Sequence, residues 1–383
     1  MNTGSQVRIF IVWALMIACN SGHKPNQASP PAKTGKDVAQ VSQLLLNLPA
    51  EYNTPDGLAM SASGDLILSV PNFNNKYLLE QRLIKAASPA FMAVITKDNK
   101  LAHWYDFKPG DLHPQTGKVG PMDSAFGPDG NLYVADMQVF FDKSHKSRIL
   151  RINVANNRAT SAEVVVEGFV ASNGICWKDN HLYVTESVLE AKDSSLVSGV
   201  YCFSLNELKR AQPVKLIPYA NGKADPHLIV TFQSDNHMGF GADGITFDQN
   251  GLLYTTVIEK GQIFRSMLSG PTKVVKTEIF AQGDGLTAPD GLVFDKKRNR
   301  FYVADFLTNA VYVIDRNGRV KSLQKNGDTS GANGQLDQPA EVIVRGDELI
   351  IVNMDMAWAT PGLSVNTKAD LKHNLSKIDL NGH

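Results

Sequence analysis

Cysteine is scarce in this chain: 383 residues contain three, Cys19, Cys176 and Cys202. So few cannot staple a miniature disulfide fold or build a cysteine-rich zinc module. Net charge is lacking as well, with 38 Lys+Arg against 38 Asp+Glu. A neutral balance leaves no basic footprint, so nucleic acid is not an expected partner. A serine nucleophile elbow, an HExxH helix and a phosphate-cradling glycine loop are all missing from suitable contexts. What is present is ordinary globular material, 43% hydrophobic and 20% charged, with 30 glycines. Glycines spread along the whole chain point to many turns.

The first residues read as a targeting segment. Arg8 precedes residues 9–18 (IFIVWALMIA), ten residues without charge. As a helix this run would be about 15 Å long, half the hydrocarbon core of a bilayer, so it is too short to span. It has the length of a signal-peptide apolar region. It ends in Met16-Ile17-Ala18-Cys19, which resembles a bacterial lipoprotein cleavage box with Cys19 as the lipidated residue. A plain secretory signal with an incidental Cys19 is the alternative. Residues 19–37 have no apolar periodicity and read as a solvated tether. The expectation is an exported protein of the cell envelope, touching membrane only through a lipid anchor, with the folded part at residues 38–383.

Beyond the tether one strand-turn-strand unit recurs six times. Its copies begin at Asp56-Gly57, Met122-Asp123, Asn173-Gly174, Asp243-Gly244, Asp290-Gly291 and Ala340-Glu341. Each leads through a turn into a second β-rich strand, such as Leu132-Tyr133-Val134 or Leu182-Tyr183-Val184. Spacings of about 50–70 residues are too long for two strands and fit four with varied loops. With no strong helical run, the expectation is all-β: a six-bladed propeller of four-stranded antiparallel blades. The sixth unit lacks an outer strand, which residues 41–48 (VSQLLLNL) can supply from the N-terminal side. A ring closed in that way leaves no open sheet edge. A short external helix is the other reading of those residues.

Innermost strands of a propeller line its channel, so residues just before them should face the channel mouth. Here those are Asp56, Met122, Asn173, Asp243, Asp290 and Ala340. Convergent Asp and Asn oxygens without a Cys or His pattern suit a hard divalent cation, calcium above all. Asp-Gly is also a common turn pair, and Asp129-Gly130 reads as a plain hairpin turn. The shared register sets the others apart. A second ring, Asp136, Glu186, Glu259, Asp305 and Asp355, falls at the ends of second strands. Most such acids bond to solvent or loop backbone; Glu186 is the one taken as a substrate contact. His113 and His237 could enter the mouth as proton shuttles. Cys176 and Cys202 read as buried free thiols.

The units Ser172-Asn173-Gly174-Ile175, Ala242-Asp243-Gly244-Ile245 and Pro289-Asp290-Gly291-Leu292, each followed by a Leu-Tyr-Val-type strand, resemble the senescence-marker-protein/gluconolactonase family. That family includes regucalcin and is related to diisopropylfluorophosphatase and the paraoxonases. The resemblance implies a propeller that holds a divalent metal at its mouth and hydrolyses lactones or esters. By motif position it places metal ligands on Asp56, Asn173 and Asp243, with Asp290 as an added one. Asp56 stands where the family has Glu, and Met122-Asp123 where it commonly has Asn-Asp, leaving Asp123 as a substrate-side candidate. Two readings follow. One is a monomeric metal-dependent hydrolase of a small lactone or ester, with Asp243 catalytic. The other is a non-catalytic propeller binding a glycan or protein on its top face.

Overall fold

The computed structural model describes residues 41–220, 222–358, 362–366 and 368–381. The expected signal segment, Cys19 and the tether lie outside the described residues. Six antiparallel sheets of four strands each follow one another around an axis, a six-bladed β-propeller. Blade 1 is Leu58–Met60, Leu66–Val70, Phe91–Ile95 and Leu101–Asp106, from the axis outward. Blade 2 begins with Pro121–Phe126 and Leu132–Asp136, blade 3 with Ser172–Lys178 and His181–Ala191, blade 4 with Ala242–Phe247 and Leu253–Val257. Blade 5 begins with Pro289–Asp295 and Arg300–Asp305, and blade 6 with Pro339–Arg345 and Glu348–Asn353. The innermost strands touch their neighbours in order all the way round.

The Leu-Tyr-Val pattern has a direct packing reason. Alternate residues of a strand face opposite sides of its sheet. Leu and Val therefore fill one inter-blade gap while Tyr enters the other. Tyr133 meets Trp177 of the next blade edge-on at 4.9 Å, and Tyr183 meets Phe247 at 4.8 Å. Tyr254 packs on Phe301 at 4.4 Å. Aromatic pairs of this kind add about 0.5–1.5 kcal/mol each beyond their buried area.

Blade 6 is completed from the N-terminal side. Gln43–Asn47 pairs antiparallel with Asn374–Asp379, so residues 41–48 hold the outer strand and not a helix. Leu48, just past it, is buried in the cluster shared with Tyr52, Leu68 and Ile350. Three features depart from the expected pattern. A two-residue strand, Val214–Lys215, adds a fifth, parallel member to blade 2. Residues 187–198 are mostly strand, because His181–Ala191 and Leu196–Ser204 run on into them. Residues 71–90 contain a short helix, Asn75–Glu80. Asp129-Gly130 is the hairpin turn it was read to be, with Asp129 accepting from the Asn131 N–H. Among the described residues no helix is long and apolar enough to cross a membrane.

Ring closure depends on Gly334. Its φ is +81°, and a Cβ there would overlap the backbone of Gln43 and Leu44 in the closing strand. Gly346 has a similar positive φ of +64° but open space around it. Gly346→Ala should therefore cost only the backbone strain, about 1–2 kcal/mol. Gly334→Ala should lower the unfolding midpoint well beyond that and speed amide exchange across Gln43–Asn47. Equal midpoints for the two variants would show that the closing strand does not depend on this contact.

Candidate active site at the channel mouth

In blades 2 to 6 the key residues lie inside the innermost strand, not just before it. The pairing register of each first strand slips there: between Ser172 and Ile175, Ala242 and Ile245, and Pro289 and Leu292. Each slip is a β-bulge holding Asn173-Gly174, Asp243-Gly244 or Asp290-Gly291. A bulge frees a residue from the ladder and re-aims its side chain. Here it turns Asn173, Asp243 and Asp290 towards the axis. The glycine that follows faces the next blade, where a Cβ would overlap that blade's backbone. The loosened ladder is repaired by Thr185, whose Oγ1 accepts from the Gly174 N–H at 2.7 Å.

Asp56, Asn173, Asp243 and Asp290 then line one small cavity, of about 40 Å³. Asn173 Nδ2 donates to Asp243 Oδ2 at 2.5 Å. The Asp243 and Asp290 carboxyls share a hydrogen bond, which lowers Asp243 relative to Asp290. Burial pushes Asp56 up to about 7, with repulsion from Asp123 adding to it. Burial raises Asp243 strongly, followed by repulsion from Asp56. Burial and then the Asp243 charge do the same to Asp290.

Asp123 and Glu341 fall elsewhere. In blades 2 and 6 they occupy the register that glycine holds in the other four, so they sit deeper in the channel. Asp123 is pushed up to about 7 by burial, although it accepts from the Ile175 and Ser124 N–H groups at 2.8 and 2.7 Å. Glu341 accepts from the Val342 N–H at 2.7 Å. Both line a cavity of about 320 Å³ that does not include Asp56, Asp243 or Asp290. Asp123 therefore lies below the mouth instead of on its substrate side.

Glu186 is also placed away from the mouth. It is 2% exposed, and its two oxygens accept from the Val170 and Ala171 N–H groups at 2.8 and 2.7 Å. It acts as a strut that ties the second strand, at its middle, to the loop entering its blade. The device repeats. Asp136 accepts from Gly120, Glu259 from Gly239, and Asp305 from Thr287 and Ala288. In blades 1 and 6 the strut is an amide, Asn72 to Asn53 and Asn353 to Asp337. Asp355, expected in this ring, instead accepts from the Asp370 N–H. His113 and His237 do not line the mouth cavity. Cys176 and Cys202 are free thiols.

Above the carboxylates the wall is apolar. Phe73, Phe140, Phe240, Phe306 and Trp358 stand around it. Met122, Met137, Met354 and Met356 fill between them. The sequence analysis overlooked this wall. Its signal was the placing of Phe73, Met137, Phe140 and Met354 within a few residues of second-strand ends.

The cation implied by the resemblance meets a suitable donor set. Burial raises five carboxylates here, Asp56, Asp123, Asp243, Asp290 and Glu341; repulsion from neighbouring carboxylates adds to four of them, all but Asp123, and no Lys, Arg or His offsets them. Oxygen-only donors with uncompensated negative charge fit a hard divalent cation. Among the described residues no three His, Cys, Asp or Glu side chains are grouped so that they could hold a metal ion by themselves. The four mouth donors come from four different blades, and one of them is an amide.

Together the ring and its mouth define a six-bladed propeller with an acidic, oxygen-donor site at one end of its channel. The family model described as the SMP-30/gluconolactonase/LRE-like region matches residues 77–279, and the chain belongs to that family. The matched span contains Asn173 and Asp243; Asp56 and Asp290 lie outside it. No curated protein is matched. Among solved structures, a luciferin-regenerating enzyme is similar at TM-score 0.55 and 10% identity, covering 89% of this chain and 96% of its own. The aldose sugar dehydrogenase of Streptomyces coelicolor, bound to PQQ, scores 0.51 at 15% identity, covering 91% and 99%. A gluconolactonase of Xanthomonas campestris scores 0.50 at 12% identity, covering 88% of each chain. Likeness at these identities extends to the fold.

The buried acids yield a pH prediction. Asp56 has an ordinary value of 3.8 and a folded value of about 7. Its folded form keeps the proton longer than the unfolded form, so its contribution to stability falls as pH rises from about 4 to about 7. With chelator present, Asp56→Asn should raise the unfolding midpoint clearly more at pH 8 than at pH 5, and leave it nearly unchanged only below about pH 4. A midpoint raised equally at both pH values would show that Asp56 is not held protonated by burial.

Proposed function

We propose that the protein is a metal-dependent hydrolase of lactones or related esters, acting at the channel mouth. The observation that carries this reading is the uncompensated group of buried oxygen donors, in a chain of the gluconolactonase-like family. Asp56, Asn173, Asp243 and Asp290 would hold the cation, with Asn173 turning its amide oxygen inward. Calcium is the proposed ion, given oxygen donors only. When bound, it would polarise the substrate carbonyl and offset the carboxylate charge.

The chain's own residues supply the proton chemistry. Burial and then like charge raise Asp243 well above the ordinary carboxylate value, which makes it a stronger base than a free carboxylate. Asn173 fixes the orientation of its carboxylate through the 2.5 Å bond. In the proposed step a water oxygen bonds to the carbonyl carbon while its proton passes to Asp243. The ring C–O bond then breaks, and Asp243 returns the proton to the leaving oxygen. The product is the open-chain hydroxy acid. The apolar wall keeps bulk water from this exchange.

Asp243→Asn keeps an oxygen but removes the base, so kcat should fall about 100-fold or more. Chelation should abolish turnover, and added calcium should restore it. Full activity in the presence of chelator would overturn the metal dependence. Bound metal with no turnover on any lactone or ester would favour the binding-propeller reading instead.

We further propose that the propeller is exported and tethered through lipid on Cys19, on the strength of the N-terminal segment alone. Cys19→Ser should release it from sedimented membranes. Unchanged sedimentation would place the attachment elsewhere.

A further inference from the structure

The mouth has a polar floor and an apolar wall, and the two make different demands of a substrate. Four oxygen-donor side chains, Asp56, Asn173, Asp243 and Asp290, form the floor. Around and above them stand five aromatic rings. Phe73 and Phe140 lie 4.6 Å apart, Phe140 and Phe240 5.8 Å, and Phe306 and Trp358 5.7 Å, so the rings form two groups, one of three and one of two. The one polar handle among these rings is spent, because Trp358 Nε1 donates to Gln338 Oε1 at 2.9 Å. Phe140 remains 37% exposed at the entrance.

From this division we infer that the substrate is a lactone or ester with an alkyl or aryl substituent, and not a polyhydroxylated sugar lactone. The inference rests on the hydrolase reading for its reacting carbonyl, and on the wall for everything else. A sugar lactone brings several hydroxyls, and each one buried against a phenyl ring or a thioether loses its water without gaining a partner. An alkyl or aryl group meets the same wall favourably.

The cavity is small, at about 40 Å³, and a long substituent would be accommodated by movement of its wall. Four of its members are methionines, Met122, Met137, Met354 and Met356, whose unbranched side chains re-pack at low cost. An apolar substituent repays that movement with new contact; a hydroxylated one does not. Met122 belongs to this logic. It stands where the family commonly has an asparagine, and here it extends the apolar wall down to the floor.

The test uses the purified protein with calcium, and compares γ-butyrolactone, γ-octalactone, γ-dodecalactone and glucono-δ-lactone by pH-stat. Along the alkyl series kcat/KM should rise, by up to about fourfold per added methylene where the chain is fully buried. γ-Dodecalactone should exceed glucono-δ-lactone by at least 100-fold. Phe140→Asn should raise KM for γ-dodecalactone about tenfold, with its unfolding midpoint checked alongside. Binding is read separately, from the quenching of Trp358 fluorescence when γ-dodecalactone is added to the Asp243→Asn variant. The Trp358→Phe background identifies that signal. Faster turnover of glucono-δ-lactone than of any alkyl lactone would overturn the substrate class while leaving the hydrolase reading intact. Saturable quenching by γ-dodecalactone without turnover in the parent protein would uphold the apolar class and remove the hydrolase. Neither quenching nor alkyl-lactone turnover would overturn the inference.

Discussion

Six innermost strands can surround a channel only if neighbouring backbones nearly touch, and at four of the six joints a glycine secures that closeness. Gly57, Gly174, Gly244 and Gly291 each face a neighbouring blade where a Cβ would overlap it. The bulge that brings each of the last three into place also turns the preceding Asn or Asp inward. Close packing of the ring and convergence of the oxygen donors are therefore one geometric event. The cost is electrostatic, since carboxylates taken from water without a counter-charge are among the least favourable groups to bury. Retained protons offset that cost, and the proposed cation would do the same, so the stability of the channel is coupled to its protonation.

Around this ring the second strands hold the mouth loops in place. Each blade carries, in or just past its second strand, an acid or asparagine that accepts N–H groups from the loop entering the same blade. Such struts suit loops that carry a binding wall, because charge-assisted bonds to backbone fix a loop more firmly than apolar contact alone. Strands supply the donors of the floor, and loops supply most of the rings and thioethers of the wall. This division lets the chemistry stay constant while the wall varies, as it does on many shared folds.

Much of the architecture follows from local patterns. The six recurrences of one strand-turn-strand unit state the blade number, because each copy is a hairpin whose turn and alternation are written in neighbouring residues. Closure by residues 41–48 follows from counting strands, since the sixth copy is one short. Asp56, Asn173, Asp243 and Asp290 are legible as a set through their common register.

Other features exist only once the blades are assembled. Asp123 and Glu341 share the repeat's numbering with the mouth donors, yet one position along the strand sends them deeper into the channel. Alternation turns a one-residue shift into a change of face. Glu186 looks like any acid at a strand end until the Val170 and Ala171 N–H groups close on it. The apolar wall draws Phe73, Phe140, Phe240, Phe306 and Trp358 from separate loops, and no local pattern states that they meet. The sequence by itself determined the number of blades, the strand faces and the donors offered to the axis, because these depend on near neighbours in the chain. Tertiary structure alone decided which acids share the mouth and which rings enclose it, because those contacts join residues from blades far apart in the chain.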